Sequence, residues 1–228
     1  MNRDARTDSD VEHGGVRAHS DVGQPWALVP VKRFDQGKSR LGEALSPEAR
    51  ADLARSMFDR VVGSVLGSLV KEGVLGGVLV ITDGPDVAER ALHFGAHTSI
   101  RPGTGPGRKL GAIVDEGLAD LVFKGALSAL VIMADLPALE ASDVRALVAL
   151  LQTHDVVLAP DAAGTGTNAL AMRLPAPMNT RFCGGESLVD HLRTASDQGL
   201  SIAMCERAGL GFDVDQTADL AKLQTARK

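Results

Sequence analysis

Ala126-Leu127-Ser128-Ala129-Leu130-Val131-Ile132-Met133-Ala134, followed at once by Asp135-Leu136-Pro137, decides the fold. The run holds one hydroxyl and no charge, so it predicts a strand over 126–134 that is covered on both faces. Asp135-Leu136-Pro137 stops it, because proline cannot extend a hydrogen-bonded ladder. Asp135 is thereby left at the carboxyl end of a buried strand, where open α/β sheets bind their ligands.

Working outward, the same alternation recurs. Trp26–Val31 is a short apolar run that gives way to a basic, glycine-containing loop, Lys32–Leu41. Ser46-Pro47-Glu48 is a helix start, with a hydroxyl N-cap and proline at the first helical position. Leu53, Met57, Val61, Val65 and Leu69 then recur every fourth residue, a helical stripe for burial against a sheet. Val78–Ile81 predicts a strand, and Asp83-Gly84-Pro85 turns into a helix through Leu92. Further strands are predicted over Ala96–Ile100, Val156–Ala159, Ala169–Met172 and Ile202–Cys205. Helices are predicted over Leu110–Val122, Val144–Leu151, Leu188–Ala195 and Thr217–Leu223. Arg101–Lys109 is too rich in glycine and proline for regular structure. Such alternation predicts an α/β fold with a mostly parallel, mixed sheet between helical layers. One domain is expected over 26–223, after a disordered leader, 1–25, and before a short tail, 224–228.

The 228 residues are 44% hydrophobic and carry a net charge of −5. That balance argues against a nucleic-acid binder, which would show a basic excess. The two cysteines, Cys183 and Cys205, have no metal-ligand spacing and fit a reducing cytoplasm. No apolar run approaches the roughly 18 residues of a membrane span, and the first 25 residues lack a signal peptide's apolar core.

Residues suited to chemistry collect at the expected strand ends. Gly37-Lys38-Ser39 resembles the end of a phosphate-binding P-loop, but the glycine that should open that pattern is Lys32, so a Walker loop is rejected. A loop bearing Lys32, Arg33, Lys38 and Arg40 remains, and cations with backbone N–H groups are what a triphosphate requires. A solvated basic loop would read the same way. Asp135 suits a hard divalent cation; a helix N-cap is its alternative. Asp213 and Asp215, two apart in an extended stretch, share a side and could face one ion, or form a surface turn. Gly164-Thr165-Gly166-Thr167-Asn168 offers hydroxyls and close backbone approach to a carboxylate or phosphate, or is a plain tight turn. Arg181-Phe182-Cys183-Gly184-Gly185-Glu186-Ser187 opens a helix and makes an anion seat, unless Ser187 is only an N-cap. There is no Gly-x-Ser-x-Gly elbow and no zinc-type histidine spacing. His191, on the helix after Ser187, reads as packing or as a side chain near the pocket.

Taken in order, these segments resemble the CofC-like phosphoacid guanylyltransferases, which make the activated precursor of the deazaflavin coenzyme F-420. The matching stretches are Pro30-Val31-Lys32 through Lys38-Ser39-Arg40-Leu41, Ser46-Pro47-Glu48 and Asp135-Leu136-Pro137. They continue with Ala159-Pro160-Asp161, Gly164–Asn168, Phe182 with Gly184 and Ser187, and Asp213-Val214-Asp215. The resemblance implies a Rossmann-like, GT-A type nucleotidyltransferase fold, a three-layer sandwich. It also implies GTP as GMP donor to a small phosphorylated carboxylic acid, with pyrophosphate leaving. By position, Asp135, Asp213 and Asp215 would hold Mg²⁺. Lys32, Lys38 and Arg40 would grip the triphosphate, and Ser39, Gly105 and Gly107 would contact the nucleotide. Thr165, Thr167, Asn168, Gly184 and Ser187 would bind the acid. A homodimer and hand-over of the product to a downstream transferase are compatible with it.

Two positions depart from the family pattern. Leu110-Gly111-Ala112 replaces a Leu-Asn-Ala type segment, which bears on nucleotide recognition. Cys183 stands where an aromatic residue is common, and its smaller size favours 3-phospho-D-glycerate over 2-phospho-L-lactate or phosphoenolpyruvate. Two alternatives stay open: a nucleotidyltransferase for a sugar phosphate or pterin, and a nucleotide-binding regulator without catalysis.

Overall fold

Trp26–Val31 forms β1, the strand on which the sheet turns. The computed structural model describes residues 23–101, 109–182 and 186–226. β1 pairs in parallel with β2 (Gly77–Thr82) on one side and with β4 (Ser128–Ile132) on the other. β3 (His97–Ile100) extends the first side, and β6 (Thr167–Arg173), β5 (Val156–Pro160) and β7 (Ile202–Met204) the second. The order is β3-β2-β1-β4-β6-β5-β7, and β6 alone runs antiparallel to its neighbours. The junction of β1 with β4 is where strand order reverses, the place at which such sheets open a crevice. Pro30 helps open it: pairing with β4 stops at Leu28–Val131, one residue before Val29 and two before the proline, which has no N–H to give.

Alternate side chains of the strands enter two separate cores. Ala27, Val29, Val80 and Ile132 face one core with Phe58, Val61, Leu66, Leu69 and, from α5 (Ala141–Leu151), Val144 and Leu147. Leu28, Leu79, Ile81 and Val131 face the other, with α4 (Leu110–Phe123) and α6 (Ser187–Asp197). The result is the expected three-layer α/β sandwich with a mostly parallel sheet.

Ser46 caps α1 (Pro47–Phe58) as its sequence predicts, its Oγ accepting from Ala49 N–H at 3.2 Å. The helix then loosens into a π-helical stretch, Asp59–Leu66, before α2 (Gly67–Lys71). A reason lies in the spacing: at 3.6 residues per turn an every-fourth-residue stripe drifts about 40° per step, and i→i+5 bonding widens the turn to hold it in line. The stripe does not lie wholly on the sheet, however. Val61, Val65 and Leu69 do, whereas Met57 and Leu53 pack with Leu41, Val214 and Leu223 in a small third cluster.

Three further boundaries differ from expectation. The strand predicted over 126–134 is shorter: Leu127 is exposed, and beyond Ile132 Met133 keeps one bond to Asn168 O of β6 while it and Ala134 line the crevice. Thr167 and Asn168 belong to β6, not to the loop before it. Ser187 is the first residue of α6, whose N-cap is Glu186. Pro85–His93 (α3), the short α7 (Ala208–Gly211) and α8 (Thr217–Ala226) complete the described elements.

Candidate active site

The loop after β1 reaches the crevice through Lys38, whose backbone is left-handed (φ 55°, ψ 37°). A non-glycine residue holds that conformation at a cost of about 1–2 kcal/mol. Here it turns the ammonium inward. Nζ donates to Asp135 Oδ2 at 2.6 Å and to Asp215 Oδ1 at 2.9 Å, and the side chain is 8% exposed. Burial pulls the Lys38 pKa down, but the attraction of the two carboxylates outweighs it and leaves the group above the usual lysine value. Lys38 is therefore a fixed positive charge between Asp135 and Asp215. Arg40 approaches Asp215 from solvent at 3.5 Å, a mostly exposed pair of little energetic weight.

Asp213 stands slightly apart. Its Oδ1 accepts from Asn168 Nδ2 at 3.4 Å, and the same amide donates to Leu210 O at 2.9 Å. Burial, and then the charge of Asp135, hold the Asp213 carboxyl above the ordinary aspartate range. Between Asp213 and Asp215 the chain buries Val214 in the third cluster, which pins both carboxylates at the crevice.

Two cavities meet there. One, of about 660 Å³, is lined by the cations Lys32, Arg33 and Lys38 and by apolar residues that include Met57, Ile81 and Ile113. The second, of about 1130 Å³, is lined by Arg40, Thr165, Thr167, Asn168, Ser187 and Asp213 among others. Asp135, Asp215, Leu110 and Met133 line both. The first can seat a polyphosphate on its cations and offers apolar surface as well. The second presents hydroxyls to a small polar anion.

In the second cavity the hydroxyls form a buried chain. Ser187 Oγ lies 3.3 Å from Thr167 Oγ1, which lies 3.1 Å from His191 Nδ1. Arg181 N–H donates to His191 Nε2 at 2.8 Å, and Phe182 meets the imidazole edge to face at 4.7 Å. Burial pushes the His191 pKa down to about 4, against smaller upward pulls from the Ser187 carbonyl and Asp190. Thr165 hydrogen-bonds Asp161 through its N–H (2.9 Å) and hydroxyl (3.4 Å), which shapes the turn at the cavity rim.

The crevice thus brings together Lys32, Lys38, Arg40, Asp135, Asp213, Asp215, Thr165, Thr167, Asn168 and Ser187. Ser39 is exposed, opens a 3₁₀ turn and lines neither cavity. Gly105, Gly107, Gly184 and Cys183 lie outside the described residues. Gly111 is bound to the segment that follows β6: its N–H donates to Phe182 O (3.2 Å) and its carbonyl accepts from Thr180 Oγ1 (3.1 Å). A Cβ there would stand 3.0 Å from Thr180 O, so glycine is what lets the 180–182 segment close on α4.

Sequence reasoning passed over Lys109, which lines the second cavity. Its signal was legible: it is the N-cap of α4, where the helix dipole disfavours a cation unless an anion is near. The carboxylate oxygens of Asp135, Asp213 and Asp215 suit a hard divalent cation, which needs only one or two protein carboxylates when a substrate supplies phosphate oxygens. Among the described residues no three acidic, histidine or cysteine side chains are grouped closely enough to hold a metal unaided. Lys38 carries the positive charge between two of them.

The family described as "Guanylyl transferase CofC like" matches residues 26–225. A relative named phosphoenolpyruvate guanylyltransferase, from Rubrobacter xylanophilus, is 37% identical over 88% of this chain and 94% of its own. A 3-phospho-D-glycerate guanylyltransferase from Phenylobacterium zucineum is 33% identical, covering 86% and 88%. Among solved structures, 4-diphosphocytidyl-2C-methyl-D-erythritol synthase of Anaerococcus prevotii aligns with a TM-score of 0.58 at 11% identity, over 91% of this chain and 99% of its own. That likeness is one of fold. Sequence and fold converge, and the chain belongs to the CofC-like guanylyltransferase family, a family of nucleotidyltransferases.

Proposed function

We propose that the enzyme transfers GMP from GTP to phosphoenolpyruvate, releases pyrophosphate, and so supplies an activated phosphoacid to coenzyme F-420 assembly. The observation that carries the reading is the shared wall: Asp135 and Asp215 border both a cation-lined and a hydroxyl-lined cavity. Two anions seated on either side would meet at these carboxylates.

A phosphate oxygen of the acid attacks the α-phosphorus of GTP, and the bond from that phosphorus to the pyrophosphate breaks. The attacking oxygen is already anionic, so no protein base is required. The task is positioning and charge neutralisation. Lys32 and Lys38 hold the triphosphate in the first cavity, and Arg40 neutralises charge from the second. Thr165, Thr167, Asn168, Gly184 and Ser187 hold the acid. Asp135, Asp213 and Asp215 would hold Mg²⁺ together with phosphate oxygens of the substrates, and the ion would screen the repulsion between the two anions.

Phosphoenolpyruvate is favoured as acceptor because the relative at 37% identity bears that name, whereas the one named for 3-phospho-D-glycerate stands at 33%. The size argument for 3-phospho-D-glycerate rested on Cys183, outside the described residues. The test is mass spectrometry of products from GTP, Mg²⁺ and each of the three acids, with kcat/KM for each. The highest value is expected for phosphoenolpyruvate. A higher value for another acid replaces the acceptor, and no guanylylated product from any of them overturns the reading itself.

A further inference from the structure

His191 takes no part in the transfer, yet it is fully buried against the hydroxyls of the second cavity. Its two ring nitrogens have unequal surroundings. Nε2 faces the Arg181 backbone N–H at 2.8 Å, and a backbone amide can only donate. Nε2 is therefore the lone-pair nitrogen, and the single hydrogen of the neutral ring is on Nδ1. Nδ1 lies 3.1 Å from Thr167 Oγ1. The reverse arrangement, Thr167 donating to Nδ1, would put a hydrogen on Nε2 against the Arg181 N–H.

Thr167 must then accept. A hydroxyl has two lone pairs and one hydrogen. One lone pair takes the imidazole N–H, and Ser187 Oγ, at 3.3 Å, is placed to donate to the other. We infer that His191 is a positioning residue of the acid site: it holds the Thr167 hydroxyl as an acceptor on its protein side, so that its one hydrogen is presented to an oxygen of the phosphorylated acid. This inference rests on the second cavity being the acid site.

Phe182 and Arg181 hold the ring in turn, the first through the edge-to-face contact at 4.7 Å and the second through its amide. Burial keeps the ring neutral, with a pKa near 4, so the tautomer persists across the working pH range. A protonated ring would donate from both nitrogens and break the Arg181 contact.

Two measurements test this. In wild-type enzyme labelled with ¹⁵N, the His191 Nδ1 is expected to be the protonated, pyrrole-like nitrogen, the minor form of a free histidine side chain. An Nε2-protonated ring overturns the inference whatever the activity. In kinetics, His191→Phe is expected to raise KM for the acid about tenfold, the order of one hydrogen bond to a charged group, and to leave KM for GTP unchanged. His191→Asn, which can still donate to Thr167, is expected to recover most of that loss. With Thr167→Val as background, His191→Phe is expected to add little, because the two residues act through one hydroxyl. Additive losses, or an Asn variant as impaired as the Phe variant, would reduce His191 to packing. Failure of the wild type to turn over any of the three acids would instead sink the acid-site reading on which this one stands.

Discussion

Lys38 illustrates how much of this site is settled at single residues. It lies 97 residues from Asp135 and 177 from Asp215 in sequence, and only the fold brings the three together. Removing one carboxylate leaves the lysine with the other, so Asp135→Asn and Asp215→Asn are expected to fold. Loss of one well-placed electrostatic group typically costs about 10²–10³ in rate, and kcat is expected to fall by that order in each. Near-normal turnover of both at saturating Mg²⁺ would remove them from the chemistry. His191 yields a second expectation, on stability. Its pKa is lowered from 6.5 to about 4 by burial. Between those values the unfolded chain binds a proton that the folded protein refuses, so stability is fully present above pH 6.5 and drains away as pH falls toward 4. The shift corresponds to about 3 kcal/mol. Urea unfolding of wild type and His191→Phe should give a stability difference that shrinks by roughly this amount from pH 7 to pH 4. A constant difference would mean the imidazole is solvated.

At the scale of elements, α4 and β1 meet at a contact too close for a side chain. Gly117 is buried in α4, and a Cβ added there would stand 2.8 Å from Leu28 Cδ1, itself fully buried. In an open helix Gly→Ala gains about 1 kcal/mol. Overpacking a filled core costs about 1–3 kcal/mol, so Gly117→Ala is expected to lower Tm, and a rise would show that Leu28 yields freely. Such contacts explain why sequence carries some elements and not others. Trp26–Val31 and the start of α4 at Leu110 were legible because apolar pattern and punctuation coincide. The run at 126–134 was legible as a strand but not in length, since apolarity does not reveal that Met133 turns into the crevice. Ala208–Gly211 spans a single turn, too short for a helical period to show. The carboxylates and the basic loop could be read because strand ends are where ligands bind. The bond from His191 to Thr167 could not, because it joins a helix to a strand 24 residues away and no spacing rule relates them.

The whole molecule poses an electrostatic problem that its two cavities divide. A chain of net charge −5 must receive two anionic substrates. The first cavity answers with Lys32, Arg33 and Lys38 against Asp135 and Asp215, a net positive wall. The second does not balance: Asp135, Asp161, Asp213, Asp215 and Asp219 line it against Arg40, Lys109 and Lys222. Asp219 is partly spent on the Asp215 and Gln216 N–H groups and on Lys222, whereas Asp213 accepts a long bond from Asn168 and one from the backbone and has no ion pair among the described residues. Burial and the neighbouring Asp135 already raise its pKa, the mark of a carboxylate short of positive charge. Bringing a polyanionic acid to this wall is unfavourable until a divalent cation changes its sign, since a bound ion is the largest local charge in such a site. Affinity for phosphoenolpyruvate is therefore expected to depend on Mg²⁺ more steeply than affinity for the nucleotide, whose cavity carries its own cations. Calorimetric titration of the acid into enzyme saturated with α,β-methylene-GTP, first in EDTA and then in millimolar Mg²⁺, measures this. At least a tenfold gain in affinity is expected, about 1.4 kcal/mol or more, and Asp213→Asn should narrow the gap by removing part of the repulsion. Tight binding of the acid in EDTA would show that it sits away from Asp213 and Asp215.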